Sequence, residues 1–271
     1  MIKRLILALV IWSTSSFAQD SFFANPEIQR KAPQAFALQG EASKFVLGLD
    51  KDTLSTRELL VKALQADSEL SIAILNWNQL SMDEQIPYLK RVFEIECKVM
   101  GITPPELIIE NGITKGSAYF DFDPNHPSPG RVLLNPMELS KEKNPYASLA
   151  FLIHETRHSA QFQLAYSSQS IFAQGYKAAF IAQKTLKERF SFCDFLTLLN
   201  EYEAFQFGNY VLGKLLAWKL DMPDMGTFAS QYDRQGELKI DLAEVVRTHP
   251  KNRILEKFNE LEKDQKNILG N

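Results

Sequence analysis

The stretch LAFLIHETRH, residues 149–158, decides the predicted fold because it joins an apolar helical run directly to a cluster of polar side chains. Residues four apart lie on the same face of an α-helix, so His154 and His158 can direct two imidazole nitrogens at one metal ion. Glu155 projects about 100° further round the helix, where it can reach a water molecule at the metal without being a ligand. The stretch therefore predicts a buried helix with two metal ligands and a general base.

The setting of the motif argues against a chance match. The apolar residues before His154 predict that the helix is buried, and burying two histidines and a glutamate without a shared partner would be costly. A longer pattern with three histidine ligands in one segment needs a glycine and a histidine where this chain has Gln161 and Leu164. That class of zinc site is excluded, and a catalytic zinc then needs a third protein ligand from elsewhere in the chain.

A later helical stretch, residues 196–216, offers two carboxylates for the third position. Glu201 falls on a stripe of small and apolar residues, where a carboxylate is rarely left without a cation. Glu203 lies two positions on, on a more mixed face, and is the alternative; both could also be ordinary surface charges. Two further sources are His249 and His126, although His126 is most simply a loop histidine. We expect Glu201 to be the ligand.

The amino terminus has the pattern of a secretory signal peptide over residues 1–18. Lys3 and Arg4 precede a short apolar run, and a polar stretch ends at Ala18, after which cleavage is expected. An uncleaved anchor is the alternative. No later stretch approaches the roughly 20 apolar residues of a membrane span. The chain is therefore expected to be periplasmic or secreted, with no transmembrane span after cleavage.

Composition narrows the class of partner. The chain has 271 residues and a formal net charge of −3, which argues against nucleic acid as the main partner. Cys97 and Cys193 are an even number of cysteines in a chain routed to an oxidising compartment, so a disulfide between them is one expectation. Two separately buried thiols are the other, because both lie in apolar helical stretches.

Helical and strand patterns alternate only once along the chain. Short β-rich runs separated by turn signals predict a small antiparallel sheet between residues 106 and 135. Helical patterns flank it, so the predicted fold is α+β, helix-dominant. After the signal peptide we expect an irregular arm over 19–53 and a single domain over 54–271. The helical part of that domain is 54–104, and the sheet and metal site belong to 105–271.

Capping residues and apolar spacing set the predicted helix limits. Ser55 and Glu58 form a candidate capping box. Asn144 and Pro145 are a typical cap and first-turn proline. The predicted helices span 55–66, 83–100, 144–165, 169–188, 194–218 and 251–266.

The motifs resemble those of the gluzincin zinc peptidases. HETRH followed by NEYEA (residues 200–204) on a later helix looks like the arrangement of thermolysin-like and CAAX-prenyl-protease-like enzymes. The segment RTHPKNRILEKF, residues 247–258, is similar to one that closes the domain in CAAX prenyl proteases and their bacterial heat-shock relatives. The resemblance implies a zincin-like domain, a glutamate as third zinc ligand, a supporting role for Arg253 and a structural or outer role for His249.

The chain also departs from that pattern. Those peptidases usually carry an aspartate four residues after the ligand glutamate, where this chain has Phe205. The interval from Pro250 to Arg253 is shorter than theirs. The resemblance also implies that a strand borders a substrate cleft, and the candidates are residues 117–122 and 131–135.

These features predict an exported zinc metallopeptidase that holds one Zn²⁺ per chain and acts on a protein or peptide. His154, His158 and Glu201 would bind the metal, and Glu155 would be the general base. One alternative is a periplasmic quality-control or chaperone-type binding protein with little turnover. Another is a zinc amidase acting on cell-wall peptides.

Hydrolases of this kind usually add a donor that stabilises the oxyanion. The candidates in this sequence are Tyr202, Tyr210, His249 and Arg253. The sequence does not choose among them. It also does not indicate the substrate, the oligomeric state or whether the amino-terminal region covers the cleft.

Overall fold

The structure, a computed structural model, describes residues 22–186, 190–220 and 226–269. The predicted signal peptide, 1–18, lies outside these ranges. Within them, no helix combines the length and the apolar composition that crossing a bilayer requires.

Helices dominate the described residues, with one small sheet between them, which confirms the helix-dominant α+β class. The helices before the sheet are α1 (Pro26–Gln29), α2 (Ser43–Ala66), α3 (Ser68–Leu75) and α4 (Met82–Met100). The strands are β1 (Glu106–Ile109), β2 (Ala118–Asp121) and β3 (Arg131–Leu134). The helices after the sheet are α5 (Pro136–Leu139), α6 (Ala147–Ser167), α7 (Ile171–Thr185), α8 (Phe192–Leu196), α9 (Leu199–Leu215), α10 (Leu242–Thr248) and α11 (Ile254–Leu269).

The sheet is mixed, so the prediction of an antiparallel sheet is wrong for one of its two strand pairs. The strand order is β1-β3-β2. Leu134 of β3 lies opposite Ile109 in the parallel pair and opposite Ala118 in the antiparallel pair. Because β3 is paired on both sides, only β2 among the two expected cleft strands has an edge that could accept another strand.

One side chain holds the turn after β1 against the end of β3. The turn after β1 reverses the chain as its Asn-Gly signal predicts, but β1 and β2 do not pair with each other because β3 lies between them. Asn135, at the end of β3, accepts a hydrogen bond from the Gly112 amide at 3.1 Å and donates to the Thr114 carbonyl at 2.8 Å. These bonds satisfy two backbone groups of the turn and hold it against the end of β3, which is the central strand and runs parallel to β1.

Helix α6 is the centre of the fold and carries the HETRH motif. It packs against α4, α7, α9, β2 and β3. Leu149 and Ile153 are completely buried, as their place in the apolar run predicts. The helix begins slightly after the predicted start, because the Asn144 side chain accepts from the Tyr146 amide at 3.0 Å and closes a turn there instead of capping the helix.

Helix α2 starts earlier than predicted. The expected arm over 19–53 ends at Ser43, and Ser55 lies inside α2 and does not cap it. The first turns of α2 are held by tertiary packing, since the Phe45 ring is buried and meets the Tyr176 ring of α7 with centroids 5.1 Å apart. Local sequence signals are weak there because contacts with a distant helix stabilise this segment.

The same amino-terminal arm divides the helix predicted over 194–218. The Ala37 amide donates to the Thr197 carbonyl at 2.7 Å, and the Leu199 amide donates to the Ala35 carbonyl at 2.9 Å. This pairing interrupts the helix and separates α8 from α9. As a result Leu199 starts a new helix, and the residues that follow it lie in its first turn.

The two cysteines do not pair. Cys97 lies in α4 and Cys193 in α8, and both are buried free thiols. Burial raises the pKa of the Cys97 thiol to about 12. Of the two expectations for these cysteines, separate burial is the one that the structure bears out.

A buried carboxyl in the last helix makes stability depend on pH. Glu262 of α11 is fully buried, and burial raises its pKa to about 8, although the Ala229 and Phe228 amides oppose the shift. A folded-state pKa above the unfolded value means that the folded state binds the proton more tightly. The stability contributed by this group is therefore complete at low pH and is lost as the pH rises through about 8.

We predict that Glu262→Gln makes the protein more stable than wild type at pH 9, by an amount on the order of a few kcal/mol. Glutamine is close to glutamate in size and shape and carries no charge. The free energy of unfolding of the variant and of the wild type would be measured in urea at pH 9 and at pH 4. The two proteins should differ little at pH 4. A difference of the same size at both pH values would contradict this interpretation.

Candidate metal centre

Two histidines on α6 form one side of the site. His154 and His158 are both buried, and their Nε2 atoms lie 2.9 Å apart. The i, i+4 spacing on a helix brings the rings together, as the motif predicts. Both Nε2 atoms point toward α9.

Glu201, in the first turn of α9, completes the group. Its Oε2 lies 3.2 Å from Nε2 of His154 and 3.3 Å from Nε2 of His158. The ligand atoms of the three residues all lie within 4.8 Å of one another, and all three residues are buried. This triad can hold a metal ion, and it consists of the three residues chosen from sequence.

The donor set suits a small divalent cation. Tetrahedral zinc with bonds of about 2.0–2.1 Å keeps neighbouring donor atoms roughly 3.3 Å apart. The observed separations of 2.9, 3.2 and 3.3 Å are close to that value. Two imidazoles and a carboxylate are also ligands that zinc accepts.

Glu203, the alternative third ligand, is engaged elsewhere. Its carboxylate accepts from Nε of Arg157 at 2.9 Å and from Nε2 of Gln161 at 2.5 Å. Arg157 is the residue before His158 and also lies over the Phe207 ring, 4.6 Å from its centroid. Glu203 therefore forms an ion pair with Arg157 and does not face the two histidines.

The pKa values of His158 and Glu201 are shifted in opposite directions by their contact. Burial acts to lower the pKa of His158, yet the Glu201 carboxylate overrides it and raises that pKa to about 9. Burial acts to raise the pKa of Glu201, but the facing imidazoles hold it well below its usual range. For His154, burial lowers the pKa. A bound cation would replace the shared proton, so metal binding should release protons.

Glu155 lies beside the triad on the same helix. It is buried, and its carboxylate is within hydrogen-bonding reach of the Phe120 backbone on β2. Burial raises its pKa to about 8, with the His158 charge opposing the shift. A carboxylate with an increased affinity for protons next to a metal site fits the requirements of a general base.

Phe205 occupies the place where the resemblance would put an aspartate. Its ring packs against the His154 ring with centroids 4.0 Å apart. Nδ1 of His154 is buried and has no hydrogen-bond partner among the residues that the structure describes. The His154 ring is therefore held by packing against Phe205 and not by a hydrogen bond at Nδ1.

The four candidate oxyanion donors have different surroundings. Arg253 is 60% exposed and pairs with Glu256. Tyr210 donates to a glutamate of α2. His249 bonds to the Val245 carbonyl through Nδ1 at 3.2 Å, which is a structural contact. Tyr202 is buried in α9, and its hydroxyl accepts from a glutamine one turn on.

His126, the other histidine considered, lies in a loop. Its side chain is 86% exposed and contacts Asp123 at 2.9 Å. The simple expectation of a loop histidine fits this position.

Two glutamines next to the ligands were missed by sequence reasoning. Gln161 bonds to Nδ1 of His158 at 2.8 Å, and Gln183 of α7 donates to Oε1 of Glu201 at 2.5 Å. Gln161 lies three residues after His158, on the same helix face, which is a signal that could have found it. Gln183 belongs to another helix, and no local pattern connects it to the motif.

Comparison with known proteins found no family model, no curated protein and no solved structure that matches this chain.

The two nearby glutamates give a matched test of the ligand set. We predict that Glu201→Gln strongly weakens zinc binding, because it removes an anionic ligand. Glu203→Gln should instead destabilise folding by about 3–5 kcal/mol, because it leaves the largely buried side chain of Arg157 without its counter-charge. Zinc titration against a chromophoric chelator and urea unfolding would separate the two effects. Normal zinc affinity in Glu201→Gln, with loss in Glu203→Gln, would move the ligand to Glu203.

Proposed function

We propose that this protein is a zinc-dependent metallopeptidase with a zincin-like domain, which holds one zinc ion through His154, His158 and Glu201. The observation that carries the proposal is the convergence of the three donor atoms beside a buried carboxylate, Glu155. A site that only stabilises the fold would normally have four protein ligands. Three ligands with an adjacent base fit hydrolysis better.

The reaction follows from the positions of these side chains. When bound, zinc supplies a Lewis acid that polarises the scissile carbonyl and lowers the pKa of water toward roughly 7. Glu155 would take a proton from the attacking water and deliver it to the leaving amine. A C–O bond forms, the C–N bond of the amide breaks, and no other reactant is consumed.

The sheet supports a peptide as the substrate. β2 lies at the edge of the sheet, and the Phe120 backbone lies next to the Glu155 carboxylate. An extended peptide that adds to this edge by backbone hydrogen bonds would run past the candidate base. This arrangement favours a peptide bond over a small amide as the scissile group.

We also propose that the enzyme works in the periplasm or outside the cell. The support is the signal-peptide pattern of residues 1–18.

We predict that Glu155→Gln retains zinc but loses peptide cleavage by at least about 100-fold. The substitution removes the proton acceptor and leaves all three ligands in place. Zinc content by mass spectrometry and cleavage of a fluorogenic peptide library would be measured on the protein lacking residues 1–18. Glu256→Gln, which changes an exposed carboxylate that pairs with Arg253, is the control.

Three outcomes of this experiment lead to different conclusions. Full cleavage by Glu155→Gln would contradict the mechanism. A wild-type protein that binds zinc and prevents aggregation of unfolded clients without cleaving peptides would be a chaperone-type protein. Cleavage of cell-wall peptides alone would change the substrate but keep the chemistry.

A further inference from the structure

We propose that three side-chain amides position the metal-binding atoms of His158 and Glu201. They are Gln161, Gln183 and Asn200, and we refer to them as the amide set. The inference rests on the proposed metal site, but it does not depend on peptidase activity. Residues that orient metal ligands affect metal affinity as well as catalysis, so the amide set can be tested by metal binding alone.

The orientation of Gln161 is fixed by its acceptors. Its Nε2 donates to the Glu203 carboxylate at 2.5 Å and to the Asn200 carbonyl at 2.9 Å. The Asn200 carbonyl can only accept a hydrogen bond, and the Glu203 carboxylate already accepts one from Nε of Arg157 at 2.9 Å. The Gln161 oxygen must therefore face Nδ1 of His158, which lies 2.8 Å away.

This orientation selects the tautomer of His158. Opposite an amide oxygen, Nδ1 must carry the proton. In the neutral ring Nε2 is then unprotonated, and its lone pair points toward Nε2 of His154 and the Glu201 carboxylate. Gln161 thus prepares His158 to coordinate through Nε2.

Gln183 does the same for the carboxylate. Its Nε2 donates to Oε1 of Glu201 at 2.5 Å, and its own oxygen accepts from Nδ2 of Asn200 at 2.8 Å. Because Oε1 is held by an amide, Oε2 is the oxygen that faces the two histidines. Gln183 therefore fixes which oxygen of Glu201 is available to a metal.

Asn200 connects the two glutamines. Its backbone carbonyl accepts from Gln161 and its side-chain amide donates to Gln183. Asn200 is fully buried and directly precedes Glu201, in the first turn of α9. That turn begins at Leu199, where the amino-terminal arm hydrogen-bonds to the chain. The amide set is therefore built onto the start of α9 and orients two ligands from one point.

His154 has no equivalent support among the described residues. Its Nδ1 is buried without a hydrogen-bond partner, and its ring packs against Phe205. Packing restricts the ring but does not select its tautomer. The hydrogen bonds that orient the site are thus concentrated on His158 and Glu201, and we expect metal affinity to depend strongly on the amide set.

The test compares Gln161→Met and Gln183→Met with Gln163→Met in the protein lacking residues 1–18. Methionine keeps the length of the side chain and removes its hydrogen bonds. Gln163 is a suitable control because it lies on the same helix as Gln161 and bonds to the Thr103 carbonyl at 2.8 Å, away from the ligands. The readouts are zinc affinity by chelator competition, the visible spectrum of the Co²⁺ form and thermal unfolding in excess chelator.

We expect Gln161→Met and Gln183→Met each to weaken zinc binding about 10- to 100-fold and to alter the Co²⁺ spectrum. Gln163→Met should match wild type in both measurements. Thermal unfolding in chelator shows whether each metal-free variant is folded. Gln183 is only partly buried, so its variant keeps the test decisive even if Gln161→Met does not fold.

Zinc affinity within about twofold of wild type in the folded glutamine variants would overturn the role of the amide set and leave the proposed function intact. If the glutamine variants bind zinc more weakly but the wild-type protein cleaves no peptide, the role of the amide set is supported and the peptidase proposal is contradicted. A wild-type protein that binds neither zinc nor cobalt would overturn both.

Discussion

Three atoms that each carry a lone pair face one another in the interior of this protein, and their need for a shared proton or cation is the constraint on which the site depends. The Nε2 atoms of His154 and His158 and Oε2 of Glu201 are separated by 2.9 to 3.3 Å. Buried donors at these distances need a proton or a cation between them. The elements around the triad are arranged to keep the donors in place, with α6 and α9 providing them and α7 contributing Gln183.

The contact between α6 and α9 is set by two pairs of charged residues. Glu201 and Glu203 are close in sequence, but one faces the histidines and the other faces Arg157. Arg157 lies inside the HETRH motif, directly before His158. Sliding α9 along α6 would separate both pairs at once and leave charges buried without partners, which is strongly unfavourable. The ion pair of Arg157 with Glu203 therefore helps to fix the register that brings Glu201 to the two histidines.

The sequence contained enough information to predict the triad but not its surroundings. HETRH is a local pattern, and the apolar stripe around Glu201 is visible on a single helix. Only the pairing of Arg157 with Glu203 distinguishes the roles of the two glutamates, and this pairing depends on how α6 and α9 pack. Gln183 was not predictable because its role comes from a third helix, and helix packing is not encoded in short-range periodicity.

The fold shows the same division. The helix-dominant α+β class and the position of α6 followed from periodicity and apolar content. The turn between β1 and β2 bonds to Asn135 at the end of β3, a contact between distant residues that no local pattern predicts. The early start of α2 and the break before α9 both depend on contacts of the amino-terminal arm with other elements. These features arise from tertiary contacts that override local preference.

X-ray absorption spectroscopy at the zinc edge of the purified protein would test whether the triad binds zinc. We expect one zinc per chain with two imidazole nitrogens at about 2.0–2.1 Å, further nitrogen or oxygen ligands and no sulfur. Glu201→Gln should lose this first shell, while Gln163→Met should keep it. Sulfur in the first shell, or a zinc environment unchanged by Glu201→Gln, would show that zinc does not bind at His154, His158 and Glu201.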